Sequence, residues 1–178
     1  MQAIDWQRVV EEHGPAVWRT AYRLLGNDTD AADCFQETFV SALEVSRRQR
    51  VRNFSALLAR LVTARAVDRL RQRFRHQQYR SDAADLVLVA SERPWPAHQA
   101  QEREFAGQLR KALAFLSPHE AQVFCLRHLS DMSYRQIGKS LGIKTSTVGV
   151  LLHRARTKLR RLLEAPVGKE RTRARPEE

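Results

Sequence analysis

Seven glycines and two cysteines are few for 178 residues, and aromatic side chains make up only 7% of them. That scarcity of turn-forming glycine and of strand-favouring aromatics argues against a β-sandwich. The spread of Leu, Ala, Arg, Gln and Glu favours an all-α chain instead. No apolar run approaches the roughly 18 residues of a membrane span, so no membrane insertion is expected. The opening residues, MQAIDWQRVVEEHG, are acidic where a signal peptide would be basic, which points to a cytoplasmic protein. Cys34 and Cys125 lie far apart within amphipathic patterns and read as two reduced, buried thiols.

Catalytic constellations are also missing. The sequence holds no phosphate loop, nucleotide-binding glycine motif or nucleophile elbow. Asp28, Asp30 and Asp33 crowd a helix start, where capping and the helix dipole account for them without acid–base chemistry. His119, Cys125 and His128 fall on one helix, but only Cys125 and His128 share a face, so no metal site is expected. No cofactor and no enzymatic activity follow from these residues.

Charge of one sign is absent in blocks, and the blocks are informative. Residues 1–45 carry a net charge of −5, 46–80 carry +10, 81–104 carry −3, and 105–165 carry +8, within a total of +11. A surface that is merely solvated would intersperse the signs. Segregated basic blocks are the electrostatic footprint of a polyanion partner. The acidic N-terminal block calls for a different one.

The pattern divides the chain into two small helical domains joined by a flexible linker. In the first, residues 1–75, a helix runs from about Asp5 to Leu25, with Trp6, Val9, Val10, Val17, Ala21 and Leu24 at threes and fours. Gly14-Pro15 predicts a kink or a break into two helices, and Gly26 a left-handed stop. A second helix follows, capped by Asp28, Thr29 or Asp30, with Phe35, Phe39 and Ala42 inward. A third, from about Ser55 to Phe74, has Leu58, Leu61 and Val62 inward. Residues 76–104, containing SERPWPAHQ, read as linker. The second domain, 105–165, opens with Phe105, Leu109 and Leu113 inward. Ser117-Pro118-His119-Glu120 and Ser133-Tyr134-Arg135-Gln136 are capping boxes. The tail, 166–178, reads as disordered.

Ile137 and Leu141 face inward, Gly142 turns the chain, and Ile143 plugs the angle to a last helix. That is the pattern of a helix-turn-helix. The last helix buries Val148, Leu152, Ala155, Leu159 and Leu162, with Leu151 on the flank. At about 100° per residue the opposite face gathers Ser146, Val150, His153, Arg154 and Thr157. These form the candidate groove-facing set, and Arg135, Lys144, Thr145, Thr147, Arg156 and Lys158 are candidate contacts beside it. DNA is the expected partner.

Residues 116–163, LSPHEAQVFCLRHLSDMSYRQIGKSLGIKTSTVGVLLHRARTKLRRLL, closely resemble the −35-binding domain of bacterial RNA polymerase sigma factors of the extracytoplasmic-function group. DAADCFQETFVSAL, residues 30–43, is similar to the helix by which those factors grip the clamp coiled coil of the polymerase beta-prime subunit. FSALLARLVTARAVDRLRQR, residues 54–73, is similar to the helix after their −10-reading loop. The resemblance implies a non-enzymatic subunit that takes core polymerase to promoters, touching the beta-prime coiled coil and the beta flap, with an anti-sigma factor as a further partner.

By the same resemblance Asp33, Gln36, Glu37 and Val40 would meet polymerase. Arg50, Arg52, Asn53, Phe54, Arg60, Arg65 and Arg69 would serve the −10 element, whose extruded bases enter a pocket near Arg50–Phe54. The chain departs from the family at Leu57 (usually Trp), Thr63-Ala64 (usually Arg-Asn) and Gly149-Val150-Leu151 (usually Lys-Ser-Arg). Two basic side chains are thereby lost from the −35 helix. A stand-alone helix-turn-helix regulator is the alternative; it leaves the acidic face of Asp33, Gln36 and Glu37 unexplained. A recombinase would need a mixed α/β domain, and the N-terminal half shows no strand pattern.

Overall fold

The computed structural model describes residues 4–81 and 97–164, with side chains described for 4–77 and 101–164. Within them are seven helices and no strand: α1 (Trp6–Leu25), α2 (Asp28–Arg48), α3 (Phe54–Ser81), α4 (Ala97–Phe115), α5 (Pro118–His128), α6 (Tyr134–Leu141) and α7 (Thr145–Glu164). None of them is long and apolar enough to cross a membrane.

Local chemistry sets most helix ends. Asp5 caps α1 by accepting from the Arg8 N–H, and Gly26 closes it with φ 76°. A left-handed backbone there suits glycine, which has no Cβ to clash. Pro15 does not break α1. The helix packs on α2 and α3, and a Cβ at neighbouring Gly14 would already stand 3.6 Å from the Phe35 ring. Tertiary packing thus holds the helix through a residue that cannot donate its hydrogen bond. The cap of α2 is Asn27, whose Oδ1 accepts from the Asp30 N–H at 2.8 Å, and not Asp28, Thr29 or Asp30.

α3 and α4 are both longer than their apolar periodicity predicts. Residues 76–81 continue α3, and 97–104 belong to α4, so the expected linker is trimmed from both sides. RHQQYR contains neither glycine nor proline to stop a helix. The remaining linker residues, 82–96, and the tail lie outside the described residues.

α3 is the keel of the molecule. Leu58, Val62, Ala66, Val67 and Leu70 meet Val17, Ala21, Leu24 and Leu25 of α1 and Ala31, Cys34 and Ala42 of α2. The same buried cluster runs on into Leu113 and Leu116 of the C-terminal half, and to Ala155 and Leu159 of α7. A second cluster unites Val123, Leu126, Met132, Ile137, Val148 and Leu152, with Ala56 and Ala59 of α3 packed against it. Each large aliphatic side chain buried here contributes about 1.5–3 kcal/mol. Three residues expected inside are not: Val10 is 38% exposed, Phe105 55% and Leu162 43%. Val10 lies near the start of α1 and Leu162 near the end of α7, while Phe105 stands midway along α4. There the neighbouring helices no longer cover the stripe.

Arginines tie the halves together by capping each other's helix ends. Arg71 of α3 donates to the Leu116 carbonyl at 2.6 Å, just past α4. Arg110 of α4 donates through Nε to the Arg23 carbonyl at 3.0 Å, in the last turn of α1. A guanidinium at a helix C-terminus satisfies an orphan carbonyl and meets the negative end of the dipole.

Candidate nucleic-acid interface

The candidate reader is built on two capped helices. Ser133 accepts from the Gln136 N–H, and the Gln136 side chain accepts from the Ser133 N–H at 2.8 Å. Gly142 then takes φ 68° and turns the chain toward α7. The turn is tight: the Ile143 N–H donates to the Gly138 carbonyl at 2.9 Å. A Cβ on Gly138 would stand only 2.8 Å from the Ile143 carbonyl oxygen.

α7 is held by Val148, Leu152, Ala155 and Leu159, all buried. Ser146, Val150, His153 and Arg154 are exposed together on its other side, and Thr157 is partly covered, its hydroxyl donating to the His153 carbonyl. Thr145, Thr147, Lys144 and Arg135 are exposed beside them. Lys144 stands at the N-cap, its carbonyl accepting from the Val148 N–H. A lysine side chain has no acceptor for the first-turn N–H groups. Gly149 is not demanded by packing, since a Cβ there would meet the Tyr134 ring at an ordinary 3.8 Å.

Two of the expected contacts are engaged inside the protein. Lys158 Nζ lies 2.8 and 2.9 Å from the oxygens of Glu120, which is 4% exposed and also completes the Ser117 capping box. Burial pushes the Glu120 carboxyl toward protonation, but the bonds from Lys158 and Ser117 outweigh it and hold its pKa below the ordinary value. Arg156 lies 3.3 Å from His128 Nε2. Partial burial, with the charges of Arg156 and Arg127, lowers the His128 pKa. The capping box was legible in the sequence; its partner 38 residues away was not.

Lys158→Met should therefore act on stability before DNA binding. A folded-state pKa held down contributes stability above the ordinary glutamate range, and that stability is lost as pH falls through the folded value. Removing the lysine forfeits it at neutral pH and leaves a buried carboxylate half-paired. With Lys158 itself half exposed, a loss of about 1–2 kcal/mol is expected. Thermal melts should shift down while the salt slope of DNA binding stays put; a smaller slope at unchanged melting temperature would return Lys158 to the DNA surface.

In the N-terminal half, Asn53 caps α3 by accepting from the Ala56 N–H at 2.8 Å. Phe54 packs edge-on against Trp6 at 5.6 Å. Arg50 and Arg52 are exposed and Arg60 is partly so. A crevice of about 120 Å³ separates this turn from Ser130, Asp131, Met132 and Gln136. Thr63 is fully buried, and its hydroxyl has no partner among the described residues. An arginine at that position would have no room in this packing.

On α2, Gln36 and Val40 are exposed, and Asp33 and Glu37 stand at the edge facing α3. Arg65 reaches Glu37 at 3.0 Å, and Arg69 reaches Glu37 at 2.7 Å and Asp33 at 3.6 Å. Arg73 pairs with Asp30. An Asn27 hydrogen bond, joined by the charges of Arg73 and Arg69, keeps the Asp30 carboxyl below its ordinary pKa against the effect of burial. Among the described residues no three His, Cys, Asp or Glu gather as metal ligands. Burial alone pushes the Cys125 thiol up to about 12, and Cys34 rises to about 11.

Comparisons with known proteins give this geometry its frame. Residues 9–76 match sigma-70 region 2, and residues 106–159 match sigma-70 region 4. The chain is 34% identical over 158 residues to the ECF RNA polymerase sigma factor SigE of Mycolicibacterium smegmatis, covering 88% of this chain and 60% of that one. It therefore spans less than two thirds of that relative's length. It is 25% identical to the ECF RNA polymerase sigma factor SigW of Bacillus subtilis, covering 87% of each. The sigma factor RpoE of Bartonella quintana, solved in complex with the anti-sigma factor NepR, shares the fold with TM-score 0.56 at 22% identity, over 90% of this chain and 98% of that one.

Among its described residues this chain is all-helical, with a helix-turn-helix packed behind a helical module that carries an acidic face on α2. It belongs to the sigma-70 family of RNA polymerase sigma factors, and within it to the extracytoplasmic-function group.

Proposed function

We propose that this chain is a non-enzymatic, cytoplasmic subunit that binds core RNA polymerase and directs it to promoters carrying particular −10 and −35 elements. The observation that carries the reading is the capped α6–Gly142–α7 unit, which turns Ser146, Val150, His153 and Arg154 outward in a chain whose α2 is acidic. Arg135 and Lys144, with the free N–H groups of the first turn of α7, anchor phosphates and set register. Val150 meets a thymine methyl while His153 and Arg154 reach base edges. Having lost two basic side chains at its tip, this helix leans more on groove shape than on charge.

Arg50, Arg52, Asn53, Phe54 and Arg60 serve the −10 element, and Asp33, Gln36, Glu37 and Val40 the beta-prime clamp. The C-terminal half meets the beta flap. The fold shared with a sigma factor solved against its anti-sigma factor supports a partner of that kind here. Elements centred roughly 25 base pairs apart lie on the order of 80 Å apart along B-DNA. Engaging both therefore parts the α5–α6 turn from the start of α3, which here line one crevice.

Run-off transcription with purified core polymerase on a genomic promoter library tests the reading. Start-site selection above core alone is expected. Its absence would overturn the proposal, and sequence-specific duplex binding without any stimulation of polymerase would support the stand-alone regulator.

A further inference from the structure

Three arginines of α3, at positions 65, 69 and 73, stand one helical turn apart and face Asp30, Asp33 and Glu37 of α2. Both oxygens of Glu37 are taken: Oε2 by Arg65 at 3.0 Å and Oε1 by Arg69 at 2.7 Å. Arg69 is the centre, with its other terminal nitrogen 3.6 Å from Asp33 and 4.0 Å from Asp30. Arg65 also donates to the Ser41 hydroxyl, which fixes its own rotamer.

This ladder is too exposed to be explained by stability. The side chains of Arg65, Arg69, Asp33 and Glu37 keep 27–57% of their accessible surface, and ion pairs in such settings contribute little. Its effect is geometric. Planar guanidinium forks hold carboxylates in one orientation, where a lone glutamate on a helix surface would sample several rotamers. An acidic side chain fixed in this way loses less freedom when a partner arrives. The arginines, for their part, have their donors turned toward α2, where a phosphate would have to compete with carboxylates already in place.

We propose that Arg65 and Arg69 are positioning residues for the polymerase-facing side of α2, and not contacts to the −10 element. The inference rests on the reading of α2 as that surface. The basic block of α3 is thereby divided between two partners. The ladder serves polymerase, while Arg60 and the turn before the helix serve DNA.

The test uses the full chain with Arg69→Met. Affinity for core polymerase, measured in competition with the unaltered protein, should fall about three- to ten-fold, as expected for freeing one or two ordered side chains. Arg69→Lys, which keeps the charge but loses the fork, should recover part of that loss. Once saturating protein has assembled the holoenzyme, the salt slope of promoter binding should match that of the unaltered protein. Unchanged core affinity with a salt slope smaller by about 0.9, one phosphate's worth, would overturn the proposal. So would a lowered melting temperature with polymerase and promoter affinities falling together, which would make the ladder structural. Glu37→Lys separates the two levels: if it left core affinity untouched, the reading of α2 itself would fail, whatever Arg69→Met does.

Discussion

Glu37→Lys is expected to abolish measurable binding to core RNA polymerase, a loss of at least about 100-fold, while the α5–α7 unit keeps its affinity for promoter duplex. Truncating one member of a buried, hydrogen-bonded charge pair at an interface costs about 2–5 kcal/mol, and reversal adds repulsion. Two further repulsions arise within the chain, because the new ammonium would sit beside Arg65 and Arg69. Glu37 is nevertheless a surface residue, with 45% of its side chain accessible, so the fold should lose less than about 1 kcal/mol as the lysine swings into water. Native gel shift with core enzyme, run alongside binding to a −35 duplex, checks both halves. If polymerase and duplex binding disappeared together, the substitution would have unfolded the chain, whereas unchanged core binding would mean that α2 is not the polymerase surface.

Gly138→Val should disable the helix-turn-helix itself. Its Cβ would press on the Ile143 carbonyl oxygen at 2.8 Å, and its further methyls would crowd Val148, whose Cγ2 lies 3.7 Å from that Cβ position. The obstacle is backbone, so no side-chain rotation relieves it. The turn must widen, moving α7 away from α6 and pulling Val148 and Leu152 out of a packed cluster. Forcing methyls into a full core costs about 1–3 kcal/mol. A melting temperature lower by several degrees is expected, with −35 binding weakened more than the loss of folded protein accounts for. Unaltered melting and binding would show that the turn has slack which the 2.8 Å approach does not suggest.

Both predictions concern residues whose neighbours differ greatly in how far the sequence betrays them. Helix ends are set by side chains within three or four residues, so the Ser117 and Ser133 boxes and the Gly26 and Gly142 stops could be read directly. Even there Asn27, one residue earlier, took the cap from the aspartates after it. Pro15 shows the limit of local rules, since an intrinsic helix breaker is overruled by packing on two other helices.

Charge pairs across elements were out of reach. Lys158 with Glu120, and Arg69 with Glu37, are 38 and 32 residues apart, and nothing at either position announces the other. The sequence therefore counts as free surface charge several arginines and one lysine that the fold has already engaged. Phe105 and Leu162 erred in the opposite direction: periodicity marks a stripe but not where its cover ends.

The keel position of α3 also has a consequence for the chain as it is made. Residues through Ser81 complete α1, α2 and α3, but Ala56, Ala59 and Arg71 pack against the C-terminal half, at Leu116 and at the cluster that includes Ile137 and Leu152. At roughly 5–20 residues per second, the stretch from 82 to 164 takes on the order of 4–17 s to emerge from a ribosome. For those seconds the newborn N-terminal half has a finished acidic face on α2 and an uncovered flank on α3. A partner present at the ribosome would meet the acidic face proposed for polymerase before the helix-turn-helix of α6 and α7 exists.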